Sequence, residues 1–209
     1  MTLKPQLLYL NLMKKALSFT LWPEPPLPLK KFNYTRSTLA RSFVSAVSTI
    51  LDKGHLQLVR DPTISDEERE NGQTWPGYAD TMIGLKRLEN LQFCIEQVLQ
   101  DSIEGDLIET GVWRGGACIF MRAVLAAYGI DNRRVYVADS FEGLPKPDEG
   151  KYPADKGDNL HSHSPYLAVS QEEVAHNFER YDLLDDQVVF LKGWFKDSLP
   201  KANLGPLAL

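Results

Sequence analysis

The sequence predicts an α/β fold in which a doubly wound parallel sheet follows an N-terminal helical extension. After Gly105, short apolar runs alternate with segments of helical periodicity, which is typical of βαβ units. Before Gly105, apolar residues recur mainly at helical spacing. We therefore expect residues 1–80 to form a helical extension with a lid loop, and residues 81–209 to form the sheet domain.

The part of the chain before Gly105 is predicted to contain three helices and two connecting segments. Residues 1–20 form an amphipathic helix, and four prolines between positions 23 and 28 then favour an extended linker, so we expect this segment to be peripheral. A second helix runs from Thr35 to Gly54. Residues 61–77 carry a charge run at 66–70 and no period, which predicts a solvated polar loop that could act as a lid. A third helix covers residues 81–100.

The sheet domain is predicted to contain three βαβ strands and the start of a fourth. Strands are expected at residues 106–110, 135–138 and 188–191, with helices at 116–128 and at 170–181, the latter beginning in a Ser170/Glu173 capping box. Residues 207–209 resemble the opening of a fourth strand. Since a doubly wound sheet places this strand beside the first, we expect a C-terminally truncated sheet, either a fragment or a natural truncation.

Composition excludes several classes of function. The chain has 209 residues, of which 43% are apolar and 24% charged, as in ordinary globular proteins. A net charge of −5 argues against nucleic acid or an anionic membrane surface as partner. No apolar run approaches the roughly 18 residues of a membrane span, and no signal peptide is recognisable. We expect a cytoplasmic protein that acts on a small molecule, with Cys94 and Cys118 as buried, reduced thiols.

The most informative segment lies where the first strand meets its helix. Residues 109–116 read ETGVWRGG, so Glu109 precedes the first of three glycines that let a ligand approach the backbone. The dinucleotide fingerprint G-x-G-x-x-G is absent, and an acidic residue here would repel a pyrophosphate. The pattern instead suits a cationic ligand without phosphate, such as S-adenosylmethionine. A purely structural glycine turn is the alternative.

Two further positions point to a nucleoside. Asp139 directly follows the second strand, where a carboxylate can accept both ribose hydroxyls; a turn or helix cap is the alternative. Gly193, Trp194 and Phe195 follow the third strand, where aromatic rings could stack on adenine or could simply belong to the core.

These segments also resemble a known family. Residues 109–116, 138–145 (ADSFEGLP) and 193–200 (GWFKDSLP) are similar to the macrocin O-methyltransferase (TylF-like) family, with shorter matches at 81–84, 87–91 and 181–186. The resemblance covers essentially the whole chain. It implies a class I methyltransferase, Rossmann-like fold, S-adenosylmethionine as donor, and a magnesium ion in the complete enzyme.

The resemblance also implies roles for individual residues. The methionine part of the donor would face Glu109 and Gly111, with Thr110 and Val112 in the same turn, and the ribose would face Asp139. Ser140 and residues 193–195 would surround the adenosine, while Thr81 and Met82 would line the pocket from the preceding helix. The family's magnesium ligands and general base correspond to positions after Leu209, so we assign no catalytic residue and no metal ligand.

The leading hypothesis is an O-methyltransferase acting on a hydroxyl of a sugar or natural product. One alternative is a non-catalytic adenosyl-binding or oligomer-forming remnant, and another is a nicotinamide-dependent oxidoreductase, which the missing fingerprint disfavours. His161 and His163, with Asp155 and Asp158, could form a metal or acceptor site but more often mark a solvated loop. Asp185 and Asp186 are interpreted as a turn. The amphipathic N-terminus makes a homodimer an open expectation.

Overall fold

A computed structural model of the chain describes residues 4–29, 38–61 and 64–209, with the side chains of residues 163–165 excepted. The helices are α1 (Pro5–Leu17), α2 (Thr38–Asp52), α3 (Asp66–Asn71), α4 (Gly84–Gln100), α5 (Gly116–Ala127), α6 (Ser164–Leu167), α7 (Gln171–Glu179) and α8 (Phe195–Ser198). The strands are β1 (Leu27–Pro28), β2 (Val59–Arg60), β3 (Leu107–Thr110), β4 (Val135–Asp139) and β5 (Val188–Lys192). Three short 3-10 turns lie at Pro153–Asp155, Leu160–His163 and Leu199–Lys201.

The main sheet is parallel and has the strand order β3-β4-β5. Leu107 of β3 pairs with Val135 of β4, which in turn pairs with Val188 of β5. The predicted strands and their crossover helices are confirmed, with boundaries shifted by one or two residues. The apolar run of the central strand β4 is continuous because this strand is covered on both faces.

Residues 206–209 lie alongside β3, as predicted for the opening of a further strand. The N–H of Asp106 donates to the carbonyl of Pro206 at 2.9 Å, and the N–H of Ala208 donates back to Asp106 at 2.8 Å. A third bond runs from Ile108 to Leu209. The free edge expected for the first strand is therefore partly paired by these residues.

The core is centred on α5, whose residues from Gly116 to Leu125 are all buried. α1 packs against α5 and α4 through Leu10, Met13 and Leu17, which belong to the same buried cluster. The expectation that the N-terminal segment is peripheral is therefore wrong for α1. Its apolar residues lie one or two turns apart and form one continuous stripe, which needs a partner surface.

Two other predicted elements need correction. The supposed polar loop contains α3, because the Ser65 side chain caps the N–H of Glu68, the Glu68 carboxylate accepts from the N–H of Ser65, and Gly72 adopts a left-handed C-cap. Its side chains are not buried, so the solvated charge run is confirmed. The helix expected from residue 81 begins at Gly84, since Asp80 and Thr81 both donate their N–H groups to Leu17.

α2 confirms the predicted second helix from Thr38 onwards, while the predicted start at Thr35 lies outside the described residues. Several of its apolar side chains face solvent: Leu39 is 83% exposed and Phe43 69%. The proline-rich linker contributes β1, which pairs antiparallel with β2, an interaction that the sequence did not indicate. Within the described ranges no helix is both long and apolar enough to cross a membrane.

Candidate functional site

A crevice of about 420 Å³ opens at the carboxyl ends of the parallel strands. Its volume lies within the roughly 300–1,000 Å³ usual for small-molecule sites. In doubly wound sheets this edge is where ligands bind, because the loops that follow the strands diverge there. The crevice is lined by Met82, Gly111, Trp113, Asp139, Ser140, Gly143, Leu144, Pro145, Leu167, Trp194 and Phe195.

Backbone hydrogen bonds extend the sheet into the floor of the crevice. The N–H of Gly111 donates to Ala138 at 2.8 Å, and the N–H of Gly193 donates to Asp139 at 2.9 Å. Gly111 has φ +88° and Gly193 has φ +136°, so both turns use a conformation that other residues adopt only with strain. At Gly111 a Cβ would meet nothing within 4 Å, so conformation and not space requires glycine.

Asp139 joins the turns that follow β3 and β4. Its Oδ2 accepts from the N–H of Val112 at 2.8 Å, and its Oδ1 accepts from the N–H of Phe141 at 2.9 Å. The Ser140 hydroxyl lies 3.3 Å from Oδ1. Asp139 thus caps a turn and also lines the crevice. Oδ2 retains a second lone pair for a ligand, and so does Oδ1 when the Ser140 hydroxyl donates to the carbonyl of Gly143 instead.

Glu109 is the last residue but one of β3, and its carboxyl is poorly solvated. Burial raises its pKa to about 7; the Cys118 thiol, 3.0 Å from Oε2, opposes the shift, and the nearby Asp139 carboxylate adds to it. This carboxyl is therefore about half ionised at neutral pH. A cationic ligand beside it would favour the ionised form.

Aromatic side chains form one wall of the crevice. Trp113, with φ +51°, donates its indole N–H to the carbonyl of Tyr166 at 3.0 Å. Tyr166 stacks on Trp75 with ring centroids 5.2 Å apart, and its hydroxyl donates to Pro76. The guanidinium of Arg114 lies 4.2 Å from the centroid of the Trp113 ring. These contacts join loops that are far apart in the chain.

The segment that carries Met82 is held in place by hydrogen bonds from three residues, Arg114, Tyr181 and Gly116. Arg114 donates from Nη1 to the carbonyls of Gly77 at 3.1 Å and Ala79 at 2.7 Å. The buried Asp80 accepts from the Tyr181 hydroxyl at 2.6 Å. The N–H of Gly116 donates to the backbone carbonyl of Asp80. A Cβ on Gly116 would lie 2.4 Å from the same carbonyl oxygen. Glycine is required here because the two backbones are so close.

The structure separates the predicted site residues into two groups. Those that line the crevice are Met82, Gly111, Asp139, Ser140, Trp194 and Phe195. Those that lie behind or beside it are Thr81, Glu109, Thr110, Val112 and Gly193. Trp194 and Phe195 keep exposed surface and lie outside the buried cluster, so the alternative that assigned these rings to the core is wrong.

Sequence reasoning missed several lining residues. Trp113 and residues 143–145 lie inside the motifs that carry the family resemblance, so their position was the available signal. Leu167 follows a long polar loop and had no such signal. Met82 lies on a bend before α4, not on the helix itself.

The described residues do not offer a metal site. Among them, no three His, Cys, Asp or Glu side chains converge in a way that could hold a metal ion. A magnesium ion therefore does not fit the described part of the chain, and we derive no step through one. Asp185, in its predicted turn, forms an ion pair with Arg122 at 2.6 Å. The side chain of His163 is not among those that the structure describes.

The cysteine predictions are partly confirmed. Cys118 is buried and both thiols are free, whereas Cys94 is only partly buried. Neither lines the crevice, but Cys118 contacts Glu109 from below.

A parallel sheet with a glycine turn, adjacent carboxylates at its strand ends and a crevice beside them is typical of doubly wound α/β folds that bind nucleosides, and the class I methyltransferase is one such fold. Comparisons with known proteins agree with this class. The model of the macrocin O-methyltransferase (TylF) family matches residues 6–209. The chain belongs to this family and is therefore an O-methyltransferase. Enzymes of this class transfer the methyl group of S-adenosylmethionine.

Individual relatives support the assignment. The chain is 48% identical over 202 residues to 8-demethyl-8-(2,3-dimethoxy-alpha-L-rhamnosyl)-tetracenomycin-C 4'-O-methyltransferase of Streptomyces olivaceus, covering 97% of this chain and 67% of that protein. It is 46% identical to demethyldecarbamoylnovobiocin O-methyltransferase of Streptomyces niveus, with the same coverage. The solved structure of the O-methyltransferase NovP superposes with a TM-score of 0.78 at 43% identity, covering 97% of this chain and 70% of that one.

The chain thus spans about two thirds of the length of these two curated relatives. The comparisons do not favour the non-catalytic alternative, and they offer no support for a nicotinamide-dependent oxidoreductase.

Proposed function

We propose that the crevice binds S-adenosylmethionine and that the enzyme transfers its methyl group to a hydroxyl of a sugar attached to a natural product. The observation that carries the donor assignment is the meeting of Glu109 and Asp139 at the ends of adjacent parallel strands. The acceptor class is proposed from the relatives, one of which is named for the 4'-O-methylation of a rhamnosyl compound.

The ribose is assigned to Asp139. Both of its oxygens already accept one backbone N–H, which fixes the carboxylate plane before the ligand arrives. The remaining lone pairs can accept the two hydroxyls of a ribose, and the preorganised carboxylate loses little entropy on binding. Ser140, beside it, is itself held by donating to the carbonyl of Gly143 at 3.1 Å.

The methionine part is assigned to the side of Glu109. Its ammonium and sulfonium groups are positive, so they favour the ionised form of a carboxyl whose pKa burial has raised to about 7. Gly111 presents no side chain at this point, which lets the ligand lie against the backbone.

The adenine ring is assigned to the apolar end of the crevice. Leu144, Pro145 and the rings of Trp194 and Phe195 line the crevice and offer flat apolar surface. Met82 and Leu167 also line it and would exclude water from the donor.

The reaction would be an in-line displacement at the methyl carbon. The acceptor oxygen forms a bond to the methyl carbon as the carbon–sulfur bond breaks, the electron pair of that bond returns to sulfur and neutralises the sulfonium, and the hydroxyl proton passes to solvent water. Since the donor is already activated, this chain's contribution is to bind, orient and desolvate it.

The donor assignment is tested by titrating the chain with S-adenosylhomocysteine in a calorimeter. Asp139→Asn should weaken binding by about tenfold or more, because a bond from each ribose hydroxyl to a charged oxygen is lost or weakened. Asp186→Asn, an exposed acid at the opposite end of the sheet, is the matched control. Unchanged affinity in a folded Asp139→Asn protein, checked by its melting curve, would contradict the assignment.

Transfer itself is tested with isotope-labelled S-adenosylmethionine and acceptors of the relatives, beginning with demethyldecarbamoylnovobiocin. Label in the acceptor supports the proposal. Donor binding with no transfer to any sugar-bearing acceptor would instead support the non-catalytic alternative.

A further inference from the structure

Cys118 is a buried thiol whose hydrogen bond reaches the donor side of the crevice. It is the third residue of α5 and has no exposed surface. Its Sγ lies 3.0 Å from Oε2 of Glu109, nine residues earlier at the end of β3. The contact therefore connects the first turn of α5 to the carboxyl end of β3.

Several influences act on the ionisation of the Glu109 carboxyl. Burial disfavours the ionised form most and the nearby Asp139 carboxylate adds to that effect, whereas, among the described residues, the thiol and the backbone of Cys118 favour the ionised form. The backbone N–H of Cys118, in the first turn of α5, favours a negative charge on Glu109. Asp139, on the neighbouring strand, opposes it.

The thiol can act only as a donor in this position. Burial and the neighbouring Glu109 raise the pKa of Cys118 well above its ordinary value, so the sulfur keeps its proton. A donor that points at a carboxylate oxygen stabilises the charged form over the neutral one. The thiol thus favours the form of Glu109 that attracts a cation.

We propose that Cys118 is a positioning residue for donor binding, whose S–H group fixes one oxygen of Glu109 and favours the ionised form of that carboxyl toward the ammonium group of the ligand. This inference rests on the proposed function, since it takes the ligand to be S-adenosylmethionine or its product. It assigns a role to a side chain that does not itself line the crevice.

The test measures the affinity of the full chain for S-adenosylhomocysteine between pH 6 and pH 9. Wild-type affinity should rise through pH 7 as Glu109 ionises. Loss of one hydrogen bond to a charged group corresponds to about one pKa unit. Cys118→Ala should therefore move the midpoint upward by about one unit and weaken binding about fivefold at pH 7, with no loss at pH 9.

Two variants make this result specific. Cys118→Ser retains a small donor and should keep affinity within about twofold of wild type, as expected for a hydroxyl in place of a thiol. Cys94→Ala removes the other cysteine, which lies on α4, and should change nothing. In a Glu109→Gln background the Cys118→Ala effect should disappear, because coupled residues are not additive.

Two results would overturn the proposal: an unchanged midpoint in Cys118→Ala, or a loss of affinity that is equal at every pH, which would indicate packing alone. If Cys118→Ala does not fold, Cys118→Ser against Cys118→Val gives the same comparison, and equal pH profiles for these two would refute the role. Failure of the wild-type chain to bind at any pH would refute the proposed function together with this inference.

Discussion

Glu109 is less stable as an anion in the ligand-free protein than in the unfolded chain. Burial raises its pKa from the ordinary 4.5 to about 7. Between these values the folded state holds a proton that the unfolded state has released. The contribution of Glu109 to stability therefore falls as the pH rises from 4.5 to 7, and the loss is complete above pH 7.

Glu109→Gln should consequently stabilise the ligand-free protein at alkaline pH. The amide has nearly the same shape and carries no charge, so at pH 8 the gain should be up to roughly 3 kcal/mol, shrinking below about 1 kcal/mol at pH 5. Urea unfolding at the two pH values measures it. The exposed Glu104→Gln serves as control and should show no such difference. A less stable Glu109→Gln protein at pH 8 would contradict the prediction.

At the scale of single residues, the sequence predicted where side chains lie better than it predicted their protonation or their hydrogen bonds. Asp139 and Gly111 could be placed in one crevice because the ends of adjacent parallel strands must meet. The raised pKa of Glu109 could not be predicted, because it results first from burial of the carboxyl and is opposed by Cys118, which the pattern marked only as a buried thiol. Nor could the sequence show that Asp139 binds two backbone N–H groups as well as lining the crevice.

At the scale of elements, the segment from Gly77 to Met82 places Met82 in the wall of the crevice although it has no regular secondary structure of its own. It is held by Arg114, whose guanidinium both lies against the Trp113 ring and donates to two carbonyls of the segment. The planar guanidinium can lie flat against the ring while the edge of the plane donates to the carbonyls, whereas a lysine ammonium has three N–H donors but no flat face.

Arg114→Lys should therefore loosen this wall while the fold persists. We expect about tenfold weaker binding of S-adenosylhomocysteine, through the loss of a hydrogen bond and of the ring contact. Calorimetry measures the affinity, and Arg134→Lys, at an exposed position, is the matched control. Equal affinity of the Arg114→Lys and wild-type proteins would show that Arg114 does not position the wall.

The elements that sequence reasoning missed are the short ones. α3 has six residues, and β1 and β2 have two each, so none repeats an apolar position often enough to show a period. Ser65 and Glu68 did carry a capping-box pattern, but no apolar run followed it. The βαβ strands and helices were predictable because their patterns are local and long.

At the scale of the whole molecule, α1 and the sheet share one core. Leu10 and Leu17 have no exposed surface and lie in the same buried cluster as the central strand β4. The division of the chain at residue 80 remains a prediction, yet α1 already packs across that boundary onto α5. Periodicity indicated the apolar stripe on α1 but not the surface against which it packs.

Leu10→Ala should accordingly destabilise the entire fold. Removing a fully buried leucine costs about 2–5 kcal/mol, and because the core is shared the loss should appear in a single cooperative urea transition. Leu8→Ala, on the exposed side of the same helix, should cost under about 1 kcal/mol. Separate transitions, with only a small early one affected by Leu10→Ala, would mean that α1 folds apart from the sheet.

The hydrogen bonds of Gly111 and Gly193 make the floor of the crevice part of the sheet ladder, whereas its walls depend on side-chain bonds between loops. Opening the floor would require breaking the cooperative centre of the protein, but a wall can swing out by local unfolding at much lower free energy. We therefore expect ligands to enter and leave through the walls, and the residence time of a bound ligand to depend on the loops that carry Arg114 and Tyr166.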